Sequence, residues 1–346
     1  TIDECAVTGE DGNVSVTPPA EEGTYYLTAY YTEEDASRAG YPLVMPLLTV
    51  VVQEPAVSTA TVSYTTQMHN MFGPLEPQIE VTVRGDLAES YGYTDNVTDG
   101  VSVLVVLVDA HTRAFGDDFT PETAREFLNL SSSGYINTIF WVKTTLCGFA
   151  YNDSYAYDGA YGATVTTQAV CDGDTMSFFL YQDTEYYMDF LTWFCQNGVY
   201  VPSVMSNGAD PIKLSVAGYM FAYAYAFGDA ASLHANGNPI DSARVGWVDI
   251  ETGFITECAV ADEDGNVSVV PPNEKGTYYL TAYYTEEDTE DMGYPLIMPL
   301  LPVVVDTSYV PPVENPSGLS NLEVMSFQSN PNALALTPEF SSDIYE

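Results

Sequence analysis

The chain has 346 residues, of which 49 are acidic and 8 basic, giving a net charge of -41. Binding phosphate needs clustered Lys and Arg, so this balance excludes a nucleic-acid partner and disfavours docking on an anionic membrane. Hydrophobic residues make up 46% and aromatics 13%, enough for sizeable cores, and the length suggests about two to three domains.

Only 16% of residues are charged, so the acidity reflects missing bases rather than extra acids. Lys143, Lys213, Lys275, Arg38, Arg84, Arg113, Arg125 and Arg244 are the basic residues, and a trypsin-like protease meets few sites. That suits a protein living outside a cell. No run of about 18 or more apolar residues exists, so no membrane insertion is expected in this segment.

Residues 2–52 recur at 255–305 with a constant offset of 253, no gap, and about three quarters of positions identical. Each copy has an Asp-Gly-Asn turn signal, then alternation such as Val14-Ser15-Val16, then a Pro-Pro pair. A Tyr-rich strand follows (Gly23 to Tyr31; Gly276 to Tyr284), then a Gly-Tyr-Pro turn and a strand ending in Val-Val-Val. This reads as antiparallel β. Residues 1–53 are expected to be the C-terminal half of an immunoglobulin-like sandwich. Half a sandwich leaves an open apolar face, to be completed by further sequence or, as the sharper alternative, by strands of another chain.

Residues 54–206 have no repeat partner. Ile79–Val83 alternates as a strand, and Thr120-Pro121-Glu122 starts a helix expected to run to about Asn129. Val101–Val108 reads as a strand by its β-branched content, although Asp109-Ala110-His111 beyond it looks helical. Tyr135–Val142, Gly148–Asn152, Ala163–Val170 and Asp174–Asp183 are strand-like, and Cys171-Asp172-Gly173-Asp174 and Asn197-Gly198 are tight turns.

Several motifs here carry a resemblance. They are Val106-Leu107-Val108-Asp109-Ala110-His111-Thr112, Phe119-Thr120-Pro121-Glu122, Ser133-Gly134-Tyr135-Ile136, Gly148-Phe149-Ala150-Tyr151-Asn152 and Phe178-Phe179-Leu180-Tyr181-Gln182-Asp183. Over roughly residues 79–196 the chain resembles an uncharacterised domain family of Gram-positive surface proteins. That family is similar to the C-terminal domain of the vitamin B12 carriers transcobalamin and intrinsic factor. The resemblance implies a β-grasp-like α+β fold for 54–206 and a helix over Val103–Arg113. It brings no catalytic residue.

Strand patterns at Lys213–Tyr219, in part at Met220–Phe227, and at Arg244–Asp249 precede the second copy. Residues 207–306 therefore have the strand count of a small immunoglobulin-like sandwich. A Pro-rich linker, 307–318, follows. From 319 to 346, Leu319-Ser320-Asn321-Leu322 and then Leu336-Thr337-Pro338-Glu339-Phe340-Ser341 resemble the opening of cadherin-like β-sandwich repeats of bacterial surface proteins. The expected class is thus mainly β: tandem immunoglobulin-like modules around a central α+β, β-grasp-like domain.

Candidate chemistry is sparse. The histidines His69, His111 and His234 are widely separated, and no cysteine spacing suits zinc, so neither a metal, a cofactor nor a nucleophilic triad is expected. The acidic runs at Asp262–Asn266 and Glu286–Asp288 read as turn chemistry and solvated charge rather than a calcium loop. A disulfide is expected between Cys171 and Cys195. Trp141, Tyr151, Tyr181 and Trp193 are the expected ligand face. The chain is read as a non-enzymatic, extracellular segment of a bacterial surface protein, a stalk or filament. Its expected partners are neighbouring modules, copies of itself, or a host protein or glycan; the alternative is a ligand-binding module centred on 79–196.

Overall fold

In the computed structural model, which describes residues 5–8, 13–17, 19, 23–52, 57–94, 100–157 and 162–310, the first repeat copy forms a strand pair and a helix. Strands β1 (Gly23–Leu27) and β2 (Leu48–Val52) pair antiparallel from Gly23↔Val52 to Leu27↔Leu48. Between them lies α1 (Glu33–Ala39). A capping box opens this helix: the Thr32 hydroxyl accepts from the Asp35 amide, and the Asp35 carboxylate accepts from the Thr32 amide. Glu33, Glu34 and Asp35 meet the positive end of the dipole, and Gly40 closes the helix at φ 81°.

Next come β3 (Thr59–Met68), β4 (Met71–Phe72), β5 (Gln78–Arg84), α2 (Leu87–Ser90) and α3 (Val103–Phe115). The short helix α4 (Ala124–Phe127) leads into a three-stranded sheet, β6 (Asn129–Leu130), β7 (Ile136–Ile139) and β8 (Val142–Lys143). Strands β9 (Cys147–Tyr151) and β10 (Thr175–Leu180) pair antiparallel. The helix implied at Val103–Arg113 is present as α3. Its residues 103–108, 110 and 111 are all buried, and a segment walled in on every side follows the surrounding core rather than its β-branched propensity.

The rest of the described chain runs β11 (Phe190–Gln196), β12 (Val199–Tyr200), β13 (Val204–Ser206), β14 (Ile212–Met220), α5 (Phe221–Ala224), α6 (Ala230–Ala235), β15 (Asn238–Pro239) and β16 (Arg244–Val248). The second repeat copy then gives β17 (Ile255–Val260), β18 (Asn266–Val269), β19 (Gly276–Tyr283), α7 (Glu286–Met292), β20 (Leu296–Ile297) and β21 (Leu301–Val305). One sheet has the order β12-β11-β14-β15, with β18 also on β14 and β20 on β11; another has the order β13-β21-β19-β16-β17. Leu214, Val216, Val267 and Val269 of the first share one core with Val245, Leu280, Ala282, Val303 and Val305 of the second. Fully burying each of the valines and leucines contributes roughly 1.5–3 kcal/mol.

The described residues fall into two compact units. One holds those within 1–63, 80–145 and 163–174, the other those within 64–79, 146–162 and from 175 onward. The strand pairing crosses the boundary expected at 206. β11 pairs with β14 and β20, and β13 runs parallel to β21, so residues 190–206 belong to the sheets of the C-terminal module.

Other local readings change as well. Ala163–Val170 is a turn with a single bridge at Ala169, and Tyr135–Val142 is a hairpin rather than one strand. The helix expected from Thr120 to Asn129 is only the single turn of α4. Phe221–Phe227 is helical. Glu286–Asp288 is the first turn of α7, built on the same capping box as α1. The expected linker beyond Val310 and the cadherin-like start at 319–346 lie outside the described residues. The coarse expectation, a mainly β chain with several sheets, matches the structure.

Candidate functional site

A two-residue turn joins β7 to β8, with Ile139 opposite Val142. Its central residues are Phe140 at φ 46° and Trp141 at φ 67°. Positive φ at both positions is the twist a tight hairpin needs, but Asn and Gly ordinarily supply it. Two bulky aromatics in that region are strained at about 1–2 kcal/mol each, and such strain concentrates at functional sites. The two rings diverge. Phe140 is buried and stacks on His111 at 4.4 Å. Trp141 stands out at 66% exposure, its ring centroid 5.2 Å from that of Phe127.

Beside the indole lies an open cleft of about 750 Å³. Trp141, Arg125, Lys143, Asn129, Asn137 and Thr144 line it, together with Glu126. The sheet β6-β7-β8 sets the amides: the Asn137 Nδ2 donates to the Asn129 Oδ1 at 3.4 Å, and the Asn137 carbonyl accepts from the Thr144 amide at 3.0 Å. Arg125 projects from α4. Its guanidinium lies 4.0 Å above the Tyr93 ring and donates to the Gly92 carbonyl at 2.8 Å. Tyr93 is itself pinned, its hydroxyl donating to the Leu128 carbonyl at 2.7 Å, and burial holds its phenol well above the usual range. Two of eight basic residues in a chain of net charge -41 thus flank one exposed tryptophan. A flat apolar ring, neutral amides and hydroxyls, and two cations suit a polar ligand with an apolar face and a negative substituent.

Of the residues expected to form a ligand face, Trp141 alone meets this description. It belongs to one compact unit, and Tyr151, Tyr181 and Trp193 to the other. Trp193 has no exposure. It sits on β11 in a core with Phe179, Leu191, Phe221 and Leu233, so it presents nothing to a ligand. Tyr181 packs against that core 5.4 Å from Phe179, and Tyr151 is half-buried on β9. Sequence reasoning missed Arg125, Lys143 and the two asparagines. The usable signal was two rare bases within twenty residues of Trp141.

The disulfide expected between Cys171 and Cys195 is not formed, and both thiols are free. Cys171 is exposed on the turn before β10. Cys195 is buried within β11, and burial pushes its thiol pKa up. A second titratable cluster joins Asp153, Tyr200 and His234. The Tyr200 hydroxyl donates to the Asp153 carboxylate at 3.2 Å, the His234 Nε2 donates to the Asp153 carbonyl at 2.9 Å, and the two rings stack at 3.9 Å. Burial raises the Asp153 carboxyl to about 6 and lowers the His234 imidazole. These bonds brace the turn after β9 against β12 and α6. Among the described residues no group of three or more His, Cys, Asp or Glu is placed to hold a metal ion, and no helix is long and apolar enough to cross a membrane.

No protein-family model and no curated protein matches this sequence.

Proposed function

We propose that this chain is a structural and adhesive segment of a bacterial cell-surface protein, in which immunoglobulin-like modules form a stalk that displays a small interaction domain. The repeat carries this reading. A module duplicated nearly unchanged, with the same capped helix and strand register at both places, is how tandem building blocks are made. Residues 190–306 support an immunoglobulin-like sandwich, because two sheets share one core and the strand at 204–206 lies parallel to the last one. The buried helix α3 agrees with what the resemblance implies for 54–206. Eight basic residues leave few cleavage sites for a trypsin-like protease. The test is an antibody raised against the chain: intact producing cells should be labelled, and a broad protease added outside should remove the signal. Labelling only after lysis overturns the proposal.

The cleft beside Trp141 favours a second reading, in which the displayed domain binds a polar ligand such as an acidic glycan or an acidic peptide of a host protein. Titration with such ligands should shift Trp141 emission and saturate. No response across neutral and acidic glycans and acidic peptides overturns it.

A further inference from the structure

The first repeat copy opens to solvent the face that the second copy buries. Leu296, Met298 and Leu301 are 2%, 1% and 2% exposed, whereas their counterparts Leu43, Met45 and Leu48 are 39%, 58% and 59% exposed. The second copy contributes ten residues to the shared core, Ala261 to Val305. Nine of the ten recur unchanged at the matching positions, and the tenth, Ala261, is Thr8. The duplicate has therefore kept the core-facing set while having nothing to pack it against among the described strands.

The second copy shows what covers this face. Residues 190–248 act as a cradle: Ile212, Leu214 and Val216 of β14 and Val245 of β16 complete the core. β16 adds antiparallel to β19, and β13 adds parallel to β21. β1 and β2 pair with each other alone among the described strands, so both outer edges correspond to edges that the cradle fills. Charge is handled differently in the two copies. Arg244 of the cradle donates to Asp288 at 2.6 and 3.1 Å. The counterpart, Asp35, is held at 2.8 Å by Arg38, which stands where the second copy has Asp291.

We propose that residues 23–52 are a docking face for a β-strand cradle of the kind that residues 190–248 form. Such a cradle has an inner face of alternating aliphatics, one strand that adds antiparallel to β1 and another that adds parallel to β2. This deepens the modular reading above and is independent of location and ligand.

The experiment uses the full chain. Leu280→Asp with Val303→Asp removes the second copy from the cradle, and a second variant adds Leu27→Asp and Val50→Asp in the first copy. Amide exchange of β14 and β16, together with Trp247 emission, reports whether the cradle is filled; Trp247 packs 6.2 Å from Tyr278, whose counterpart is Tyr25. The first variant should keep cradle protection, filled by a first copy in the same or another molecule. The second should lose it by more than about a hundredfold. Equal loss in both overturns the proposal, since the first copy then does not dock. Equal retention also overturns it, since the cradle then needs no partner. Leu27→Asp with Val50→Asp alone should leave the cradle as in the parent chain, and loss there overturns the proposal too. None of these outcomes depends on the cell-labelling result, so the two readings fail separately.

Discussion

The Nε2 of His111 accepts a hydrogen bond from the main-chain amide of Phe140 at 2.9 Å, while its Nδ1 donates to the Leu107 carbonyl at 2.7 Å. The ring is therefore neutral with its proton on Nδ1, and it ties the core helix α3 to the strained turn that carries Trp141. Burial pushes the imidazole down to about 4, against about 6.5 in an unfolded chain. A lowered histidine takes its proton in the unfolded state first. Its contribution to stability is thus complete above about pH 6.5 and drains away as pH falls towards 4, by up to about 1.4 kcal/mol per pH unit. Protonation at Nε2 also ends its acceptance from Phe140.

Amides of α3 should accordingly lose about 2 kcal/mol of protection between pH 7 and 5, and His111→Phe should flatten that profile. The readout must be local. Burial raises Asp153 and Asp189, in the other compact unit, to about 6 each, and their contributions run the opposite way, being lost as pH rises through that value. Unchanged exchange of α3 in the parent chain would sink this account.

The Arg244 fork is the C-terminal module's best-placed ion pair. It grips both Asp288 oxygens and reaches Glu257 at 2.8 Å, and it holds the Asp288 carboxyl far below the usual range. Arg244→Gln should cost about 1–2 kcal/mol, a figure discounted for the solvent that reaches the pair. Because Asp288 is a lowered acid, the deficit should persist at neutral pH and shrink as pH falls below about 4. Arg38→Gln, which removes the exposed substitute in the first copy, should leave the melting of the C-terminal module unchanged. Equal effects of the two variants would refute the distinction drawn between the copies.

How much of this was legible depends on where the deciding information lies. The strands at 276–283 and 301–305 and the turns at Asn197-Gly198 and Asp172-Gly173 follow from period-two alternation and turn chemistry, which are local. The helix at 286–292 was equally local. Thr285-Glu286-Glu287-Asp288 is a capping box, although its three acids also read as a run of solvated charge. The strand at 190–196 could not be assigned to its module from sequence, because its partners lie at 212–220 and 296–297. Trp193 and Trp141 look alike as letters. One is buried in the core of that strand, and the other is thrust out by a turn whose φ values no propensity scale anticipates.

That contrast gives a paired test. Trp141→Asn replaces a strained, exposed ring with a residue that tolerates positive φ, so thermal stability should hold or rise by up to about 1 kcal/mol. Ligand binding in the cleft should weaken by about 1–3 kcal/mol, the range for loss of an exposed aromatic anchor. Trp193→Ala should instead cost about 3–5 kcal/mol by emptying the core between Phe221 and Leu233. If Trp141→Asn destabilises the chain as much as Trp193→Ala does, the indole is structural and the cleft is not its purpose.

Cysteine labelling tests the packing independently. Cys5, Cys171 and Cys258 are exposed, whereas Cys195 is buried and burial pushes the Cys147 thiol up to about 12. The thiolate is the reactive form, so at pH 8 Cys147 presents about one part in ten thousand of it. Iodoacetamide on the native chain should modify Cys5 and Cys171 first, Cys258 far more slowly because burial raises its thiol to about 11, and leave Cys147 and Cys195 intact. Unfolding without a reductant should then release both remaining thiols for labelling. A Cys171 that resists the native reaction, with Cys195 unlabelled after unfolding, would restore the disulfide expected from sequence and require the β10–β11 region to be rebuilt around it.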